Sequence, residues 1–191
     1  MRATLGLAAV IAMVSVVAAA DTDAALVHLM GHLAQRQHGH ASFVERQFIA
    51  VLDRPTEASG ELYYDAPDRL EKRTLKPKPE SLILDHGTLD LRRGKTARTL
   101  NLRDYPQIGI FVDSIRETLA GDLAALKQMY NVEFTAAPDG WVLVLIPRDP
   151  QLVIQVSRIR VSGQNDDLRA IEFERPNGDH SVMTISPLPS D

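Results

Sequence analysis

The chain has 191 residues, with 21 lysines and arginines, 25 aspartates and glutamates, and a formal net charge of −4. This length is typical of a single domain. The acidic balance argues against nucleic acid as a partner, because phosphate binding requires a basic face. The absence of cysteine excludes disulfides, thiolate catalysis and zinc–cysteine sites, and leaves no cysteine for lipid attachment.

The first twenty residues are interpreted as a secretory signal peptide. Arg2 supplies a positive n-region, Leu5 to Val17 an apolar h-region, and Ala18 to Ala20 a small-residue cleavage site. The apolar run is short for a membrane span, and an uncleaved anchor is the alternative. We therefore predict a signal peptide over residues 1–20, one domain over residues 21–191, and a periplasmic location.

A helix is predicted over residues 23–37, ended by Gly39, because apolar residues recur there at helical spacing. These apolar residues are Leu26, Leu29, Met30 and Leu33. A strand is predicted over residues 41–52. Its apolar residues on one parity are Val44, Phe48 and Leu52.

Three short strands joined by proline-set turns are predicted between Ser59 and Gly87. Apolar residues recur there at every second position, and proline or glycine separates the runs. The three strands form an antiparallel meander. Further strands are predicted over residues 88–91 and 96–102, with a charged hairpin turn between them.

This central region is basic although the chain is acidic. Between Arg69 and Arg103 there are ten lysines and arginines against four aspartates and glutamates. One interpretation is a set of solvated strand faces whose charges deter edge-to-edge pairing. The other is a rim that faces anionic headgroups or an acidic partner.

Helical periodicity replaces alternation between Pro106 and Asn131. The apolar positions are Ile108, Phe111, Val112, Ile115, Leu119, Leu123, Leu126 and Tyr130. Gly121 and Asp122 divide the segment into two helices, because glycine ends a helix and aspartate caps the next. Helices inserted into a meander must lie on one face of the sheet.

Strand patterns resume over residues 132–136, 141–146, 153–161, 168–174 and 180–186. The second of these runs is apolar at every position, so both of its faces are expected to be covered. Asn177 and Gly178 predict a tight hairpin between the last two strands. The predicted fold class is mainly β with α, a curved antiparallel sheet whose concave face is covered by helices.

Four histidines near the N-terminus are candidate metal ligands. His28 and His32 are four residues apart on the predicted helix but lack the adjacent glutamate of a zinc protease. His38 and His40 follow, so a metal site is one alternative. Surface or helix-packing histidines are the other, and no metal is predicted.

Ser81, Asp85 and His86 could be imagined as a catalytic set. They lie at a strand end and turn, where such residues commonly hydrogen-bond to the backbone. The sequence has no Gly-x-Ser-x-Gly elbow, and no glycine-rich phosphate loop follows a predicted strand. We therefore predict no catalytic residues, no cofactor and no enzymatic activity.

The order of several motifs resembles the outer-membrane lipoprotein carrier family (LolA-like). Four of them lie in the meander: Ser59 to Leu62, Pro67 to Leu70, Lys76 to Glu80, and Ser81 to Gly87. Later motifs that fit the same family are Trp141, the segment Pro147 to Pro150, and the hairpin Asn177 to Asp179. The resemblance covers roughly residues 40–186.

This resemblance implies a half-barrel of the LolA/LolB type with a helical lid over a lipid cavity. It implies a monomeric periplasmic carrier without chemistry, which takes an acylated lipid or lipoprotein from an inner-membrane exporter to an outer-membrane acceptor. The implied cavity residues are Leu62, Tyr64, Leu82, Leu84, Phe111, Val112, Ile115, Leu119, Trp141, Leu143 and Leu145. Ordinary core packing is the alternative for each of them.

Two positions depart from the family pattern. Family carriers have an arginine before the proline of the second turn, which hydrogen-bonds to the lid, and here that residue is Ala66. Five residues past this proline the family has an aromatic residue, and here it is Lys72. These departures favour a divergent carrier whose cargo is a different acylated molecule.

Two further hypotheses remain on the same scaffold. The first is a lipid-sensing regulator, in which lipid binding changes a protein contact. The second is an enzyme acting on a lipid or polyketide, which rests on fold analogy alone. The missing pair of nucleophile and base counts against the enzyme.

Overall fold

The computed structural model describes residues 22–189, in which eleven strands form one antiparallel sheet. The strands are β1 (His38–Phe48), β2 (Thr56–Asp65), β3 (Arg69–Lys76), β4 (Glu80–Asp85), β5 (Thr88–Arg93), β6 (Thr96–Asn101), β7 (Tyr130–Ala137), β8 (Gly140–Pro147), β9 (Arg158–Gln164), β10 (Asp167–Glu174) and β11 (His180–Pro187). The predicted signal peptide, residues 1–20, lies outside the described residues.

The first and last strands meet at the centre of the sheet. The spatial order is β6-β5-β4-β3-β2-β1-β11-β10-β9-β8-β7. On β1, Ala41 lies opposite Leu62 of β2 on one side and opposite Pro187 of β11 on the other. All other neighbouring strands are consecutive in the chain, so two meanders join at the pair of β1 and β11.

The helices are α1 (residues 22–33), α2 (Pro106–Leu119), α3 (Leu123–Met129) and α4 (Pro150–Val153), with a 3-10 turn over Leu102–Asp104. The predicted division at Gly121 and Asp122 is confirmed. The Asp122 carboxylate caps α3 by accepting a hydrogen bond from the Ala125 N–H at 2.9 Å. No helix within residues 22–189 is long and apolar enough to cross a membrane.

Two apolar clusters hold the helices to one face of the sheet, as predicted. The larger cluster joins the buried stripe of α1 to inward-facing residues of β7 to β11. The α1 residues in it are Leu26, Leu29, Met30 and Leu33. The smaller cluster consists of Leu84, Leu89 and Leu102, and Ile108 and Val112 of α2 pack against it.

The inward parity of β1 differs from the predicted apolar parity. Phe43 is 2% exposed and belongs to the core, whereas Val44 is 41% exposed on the opposite face. Leu52 lies beyond the strand, and Gly39 lies inside it and does not end α1. Val44, Phe48 and Leu52 are four residues apart. They therefore do not show that every second residue of the strand is apolar, which a buried face requires.

Strand β8 is covered on one face only. Trp141, Leu143 and Leu145 are buried, whereas the alternate residues of the strand are half-buried. The outward-facing Val144 lies between Glu133 of β7 and Arg160 of β9, so polar neighbours take the place of a second layer. The expectation that both faces would be covered is therefore wrong.

The predicted strand over residues 153–161 is also wrong in its first half. Helix α4 ends at Val153, residues 154–157 form a turn, and β9 begins only at Arg158. The Asp149 carboxylate accepts a hydrogen bond from the Gln151 N–H at 2.8 Å, and Pro150 opens the helix. An Asp-Pro pair is a helix-start signal, but the strand prediction for residues 153–161 did not use it.

Gly121 packs the junction of α2 and α3 against α1. Its φ of +67° lies in the left-handed region, and a Cβ atom there would lie 2.1 Å from the Met30 carbonyl oxygen. Gly178 in the β10–β11 hairpin has a φ of +88°, but a Cβ atom there would meet nothing within 4 Å. Gly178 is therefore needed only for its backbone conformation. Gly121 is needed for its backbone conformation and also because a side chain there would collide with α1.

We expect Gly121→Ala to lower the free energy of unfolding by more than about 3 kcal/mol, because α1 must move away from the new methyl group. Gly178→Ala should lower it by about 1 kcal/mol, because it only forces the left-handed conformation on alanine. Urea denaturation of the two variants measures both values. Equal losses would show that packing against α1 does not require glycine.

Candidate functional site

Helix α2 crosses the concave face and packs against both halves of the sheet. Ile108 and Val112 contact the smaller apolar cluster at the β3–β5 side. On the other side, the Phe111 ring stacks on the Phe173 ring of β10, with ring centroids 3.7 Å apart. One helix therefore bridges the two meanders.

The polar groups of α2 that become buried are hydrogen-bonded within the fold. The buried hydroxyls of Ser114 and Thr118 donate to the carbonyls of Phe111 and Ser114, at 2.7 and 2.6 Å. The Tyr130 hydroxyl donates to the Ile110 carbonyl at 2.6 Å, and burial raises the pKa of this hydroxyl, which keeps it protonated. These bonds fix α2 to the start of β7 without leaving a donor unsatisfied.

A cavity of about 670 Å³ lies between α2 and the concave face. Side chains from β1 to β5 and from β10 and β11 line it, so the sheet curves around it. Its apolar wall includes Ala41, Leu62, Tyr64, Leu70, Leu82, Leu84, Leu89, Leu168, Ile171, Phe173, Met183 and Ile185 from the sheet, and Ile108, Phe111, Val112, Ile115 and Leu119 from α2. Cavities of this size and lining bind drug-sized apolar molecules in other proteins.

The structure brings eight of the eleven sequence-predicted cavity residues together along this wall. They are Leu62, Tyr64, Leu82, Leu84, Phe111, Val112, Ile115 and Leu119. They come from β2, β4 and α2, which were predicted to lie in facing layers. Their role in binding a ligand stays a prediction.

The other three, Trp141, Leu143 and Leu145, belong to the packed core beside the cavity. Leu143 and Leu145 are fully buried. The Trp141 indole covers Gly163 of β9, and its N–H donates to the Asn165 carbonyl at 2.7 Å. Alternation along β8 gives the correct face but cannot distinguish a filled core from a cavity wall.

A charged pair interrupts the apolar wall. Glu45 of β1 and Lys72 of β3 both line the cavity and form an ion pair, with side chains 7% and 25% exposed. The Lys72 ammonium lies 5.0 Å from the centroid of the Phe43 ring. The Gln47 amide donates to the second Glu45 carboxylate oxygen at 3.4 Å.

Lys72 was predicted to depart from the family pattern, but its ion-pair partner Glu45 was not predicted. Glu45 shares the inward parity with Ala41 and Phe43, so a correct phase for β1 would have placed a carboxylate inside the sheet. A buried carboxylate requires a cation or hydrogen-bond donors nearby. Lys72 is the candidate cation, because it faces inward on β3 opposite Leu62 of β2.

The two ends of the cavity are polar. At one end, Arg36 donates to the carboxylates of Asp166 and Asp167 at 3.1 and 3.0 Å, which ties the start of β1 to the β9–β10 turn. The hydrogen bond from Arg36 holds the pKa of Asp166 below its usual value. The residues at the opposite end, called the mouth, are Gln47, Phe48, Ile49, Glu80, Arg175, Asp179 and His180.

Ala66 cannot make the side-chain hydrogen bond to the lid that the family arginine makes. Its backbone N–H donates to the Gln37 carbonyl at 2.8 Å. The arginine of α2, Arg116, pairs instead within the helix, at 3.0 Å from Asp113 and 2.6 Å from Glu117. Apolar contacts and the Tyr130 hydrogen bond therefore hold α2 in this chain.

The other titratable groups form no catalytic set with Ser81. Asp85 and His86 lie 2.6 Å apart in an exposed turn, and the carboxylate raises the pKa of the histidine. Asp68 completes a group of three potential metal ligands there. Ser81 lies four residues back along β4, about 13 Å from Asp85 on an extended strand.

The predicted helical histidines lie on the surface. His28 and His32 are exposed on α1, with their Nε2 atoms 3.2 Å apart. Of the other two, His38 is exposed at the start of β1 and contacts Asp65 at 3.0 Å. His40 stacks on the Tyr63 ring.

Removal of one member of the charged pair should destabilise the protein more than removal of both. Lys72→Met leaves the Glu45 carboxylate without its cation, so we expect a loss of about 1–3 kcal/mol in the free energy of unfolding. The double variant Glu45→Gln and Lys72→Met should recover most of this loss, because no charge remains in the wall. Urea denaturation of both single variants and the double variant measures the coupling, and simple additivity would contradict it.

The comparison with known proteins begins with a family model. The model described as outer membrane lipoprotein carrier protein LolA-like matches residues 16–186. No curated protein sequence matches the chain.

Several solved structures are similar to this chain at low sequence identity. A LolA superfamily protein from Nitrosomonas europaea is 11% identical over 89% of this chain and 94% of that one, with a TM-score of 0.45. A structure of the Pseudomonas aeruginosa MucA/MucB complex contains a chain that is 12% identical over 84% of this chain and 55% of that one, with a TM-score of 0.47. LprF from Mycobacterium bovis is 13% identical over 87% of this chain and 94% of that one, with a TM-score of 0.40.

These structural likenesses carry no evidence about a ligand or partner of this chain. The family model, in contrast, matches residues 16–186, a range that contains all seven motifs named in the sequence analysis. The chain therefore belongs to the LolA-like outer membrane lipoprotein carrier family.

Proposed function

We propose that this chain is a periplasmic carrier that holds the acyl chains of a lipidated cargo in the cavity under α2. It takes the cargo from an exporter in the inner membrane to an acceptor in the outer membrane, and it performs no chemistry. The cavity between α2 and the concave face is the observation that carries this proposal. Membership of the LolA-like family and the signal-peptide pattern of residues 1–20 support it.

The energetics of an acyl chain suit this cavity. Each buried methylene contributes ~0.8 kcal/mol, so one long chain gains on the order of 10 kcal/mol before the cost of ordering it. Aliphatic and aromatic side chains supply the wall without requiring a matching hydrogen bond from the ligand. Such a wall recognises chain length and bulk more than chemical detail.

The arrangement of α2 supports loading and release. Its contacts with the β3–β5 side are made by aliphatic side chains, whereas the Tyr130 hydroxyl anchors it at the β7 side. Non-directional contacts can be exchanged for contacts with a ligand, but a buried hydrogen bond cannot be lost without leaving its donor unsatisfied. The helix can therefore separate from the β3–β5 side while it stays attached to β7.

Extraction and native mass spectrometry of the protein purified from periplasm without detergent test the proposal directly. We expect a discrete acylated species to co-purify with the chain. A protein that is empty, and that also fails to take up a fluorescent fatty-acid probe displaceable by lipid, would contradict a lipid-carrying role.

A variant that fills the cavity should weaken binding without unfolding the protein. Leu82 lies half-buried on the cavity wall, so Leu82→Trp should weaken binding of the fatty-acid probe by about tenfold or more, which corresponds to ~1.4 kcal/mol. Ile154, which is 69% exposed after α4, offers a matched control in Ile154→Trp. Equal probe affinity in both variants would place the binding site elsewhere.

A further inference from the structure

Three chain connections emerge side by side at the mouth end of the sheet. They are the β1–β2 loop (residues 49–55), the β3–β4 turn (residues 77–79) and the β5–β6 turn (residues 94–95). The paired residues next to them are Gln47 with Thr56, Thr74 with Glu80, and Arg93 with Thr96. The pair of Glu80 and Arg93 brings the second and third connections together. We call these connections and their adjoining strand residues the basic end.

The basic end exposes large apolar side chains. Val51 at the tip of the β1–β2 loop is 88% exposed, and Leu52 beside it is 48% exposed. Leu75, next to last in β3, is 50% exposed. Exposed apolar residues gathered at one end, and not scattered singly, indicate an interaction site.

Cations without a partner surround these apolar residues. Arg54, Lys76, Lys78, Arg92 and Lys95 are all exposed, and within residues 22–189 none of them forms an ion pair. Of the acidic residues of the same region, Glu57 pairs with Arg46 and Glu80 pairs with Arg93, so the exposed carboxylate of Asp53 is the one set against the five cations. The basic end therefore carries a net positive charge on a chain whose total charge is negative.

Protection against edge-to-edge pairing does not explain these cations. Such protection places charge on an edge strand, and Arg98 on β6 meets that description. Lys76 and Lys78 lie instead at the turn between β3 and β4, which are interior strands. Their backbone groups offer no free edge to protect.

We propose that the basic end docks on an anionic phospholipid bilayer. The cations face the headgroups, and the apolar tips of the β1–β2 loop enter the boundary between headgroups and acyl chains. The cavity mouth includes Phe48, Ile49 and Glu80, which adjoin the same connections, so docking places the cavity opening at the membrane surface. A lipid chain can then pass between bilayer and cavity with little exposure to water. Docking itself needs no cargo.

Vesicle flotation tests the proposal with the purified protein. We expect binding to vesicles of phosphatidylcholine mixed with phosphatidylglycerol, little binding to phosphatidylcholine alone, and loss of binding at high salt. Lys76→Glu with Lys78→Glu should weaken binding by about tenfold or more, because each cation near an anionic surface contributes to attraction. Val51→Ser with Leu52→Ser should weaken it severalfold and leave its salt dependence in place.

A matched control separates this surface from total charge. Arg103 and Lys127 are exposed and lie away from the basic end, so reversing both changes the net charge equally. Arg103→Glu with Lys127→Glu should leave vesicle binding within about twofold of the unmodified protein. An equal loss in the control, equal binding to neutral vesicles, or binding to polyglutamate but not to vesicles would overturn the proposal.

The docking proposal and the proposed carrier function can be contradicted separately. A protein that binds vesicles but takes up no fatty-acid probe would contradict the carrier role and leave membrane docking intact. A protein that takes up the probe but binds neither kind of vesicle would overturn docking alone.

Discussion

The cavity depends on one constraint, which is that α2 must pack against two separate apolar clusters with a single face. A helix of 14 residues is about 21 Å long, long enough to reach across the concave face but too narrow to fill it. Ile108 and Val112 meet the β3–β5 side, and Phe111 meets β10. The space left beneath the helix is the cavity, and the sheet must curve so that both contacts are made.

Most of the fold could be predicted from the sequence because its signals are local. Alternation marked the strands, and Gly121 and Asp122 marked the division of the helical segment by ordinary cap chemistry. Predictions failed where the signal was ambiguous in phase or type. Val44, Phe48 and Leu52 share one parity of β1, but Arg46 and Ala50 have the same parity and are not large apolar residues. The apolar pattern was therefore incomplete. Asp149 and Pro150 begin a helix, although the apolar residues after them fit a strand equally well.

The candidate site was less predictable, because it depends on distances between layers that no local pattern contains. Trp141 and Leu82 both have inward parity, but one is buried in a packed core and the other faces the cavity. Burial of Glu45 likewise depends on Lys72, which is on another strand and whose ammonium group lies over the Phe43 ring. These charges give the apolar cavity a polar region toward its mouth.

The pairing of β1 with β11 has a consequence for how the chain can acquire its structure. The two strands at the centre of the sheet come from opposite ends of the sequence, with Ala41 beside Pro187 and the Leu188 N–H bonded to the His40 carbonyl at 2.9 Å. Contacts of such sequence separation form slowly, because a long loop must close first. The sheet cannot be completed until the last strand has been synthesised, so the β1–β11 pair is among the last contacts to form. That delay exposes the two half-sheets to premature association until their central strands meet.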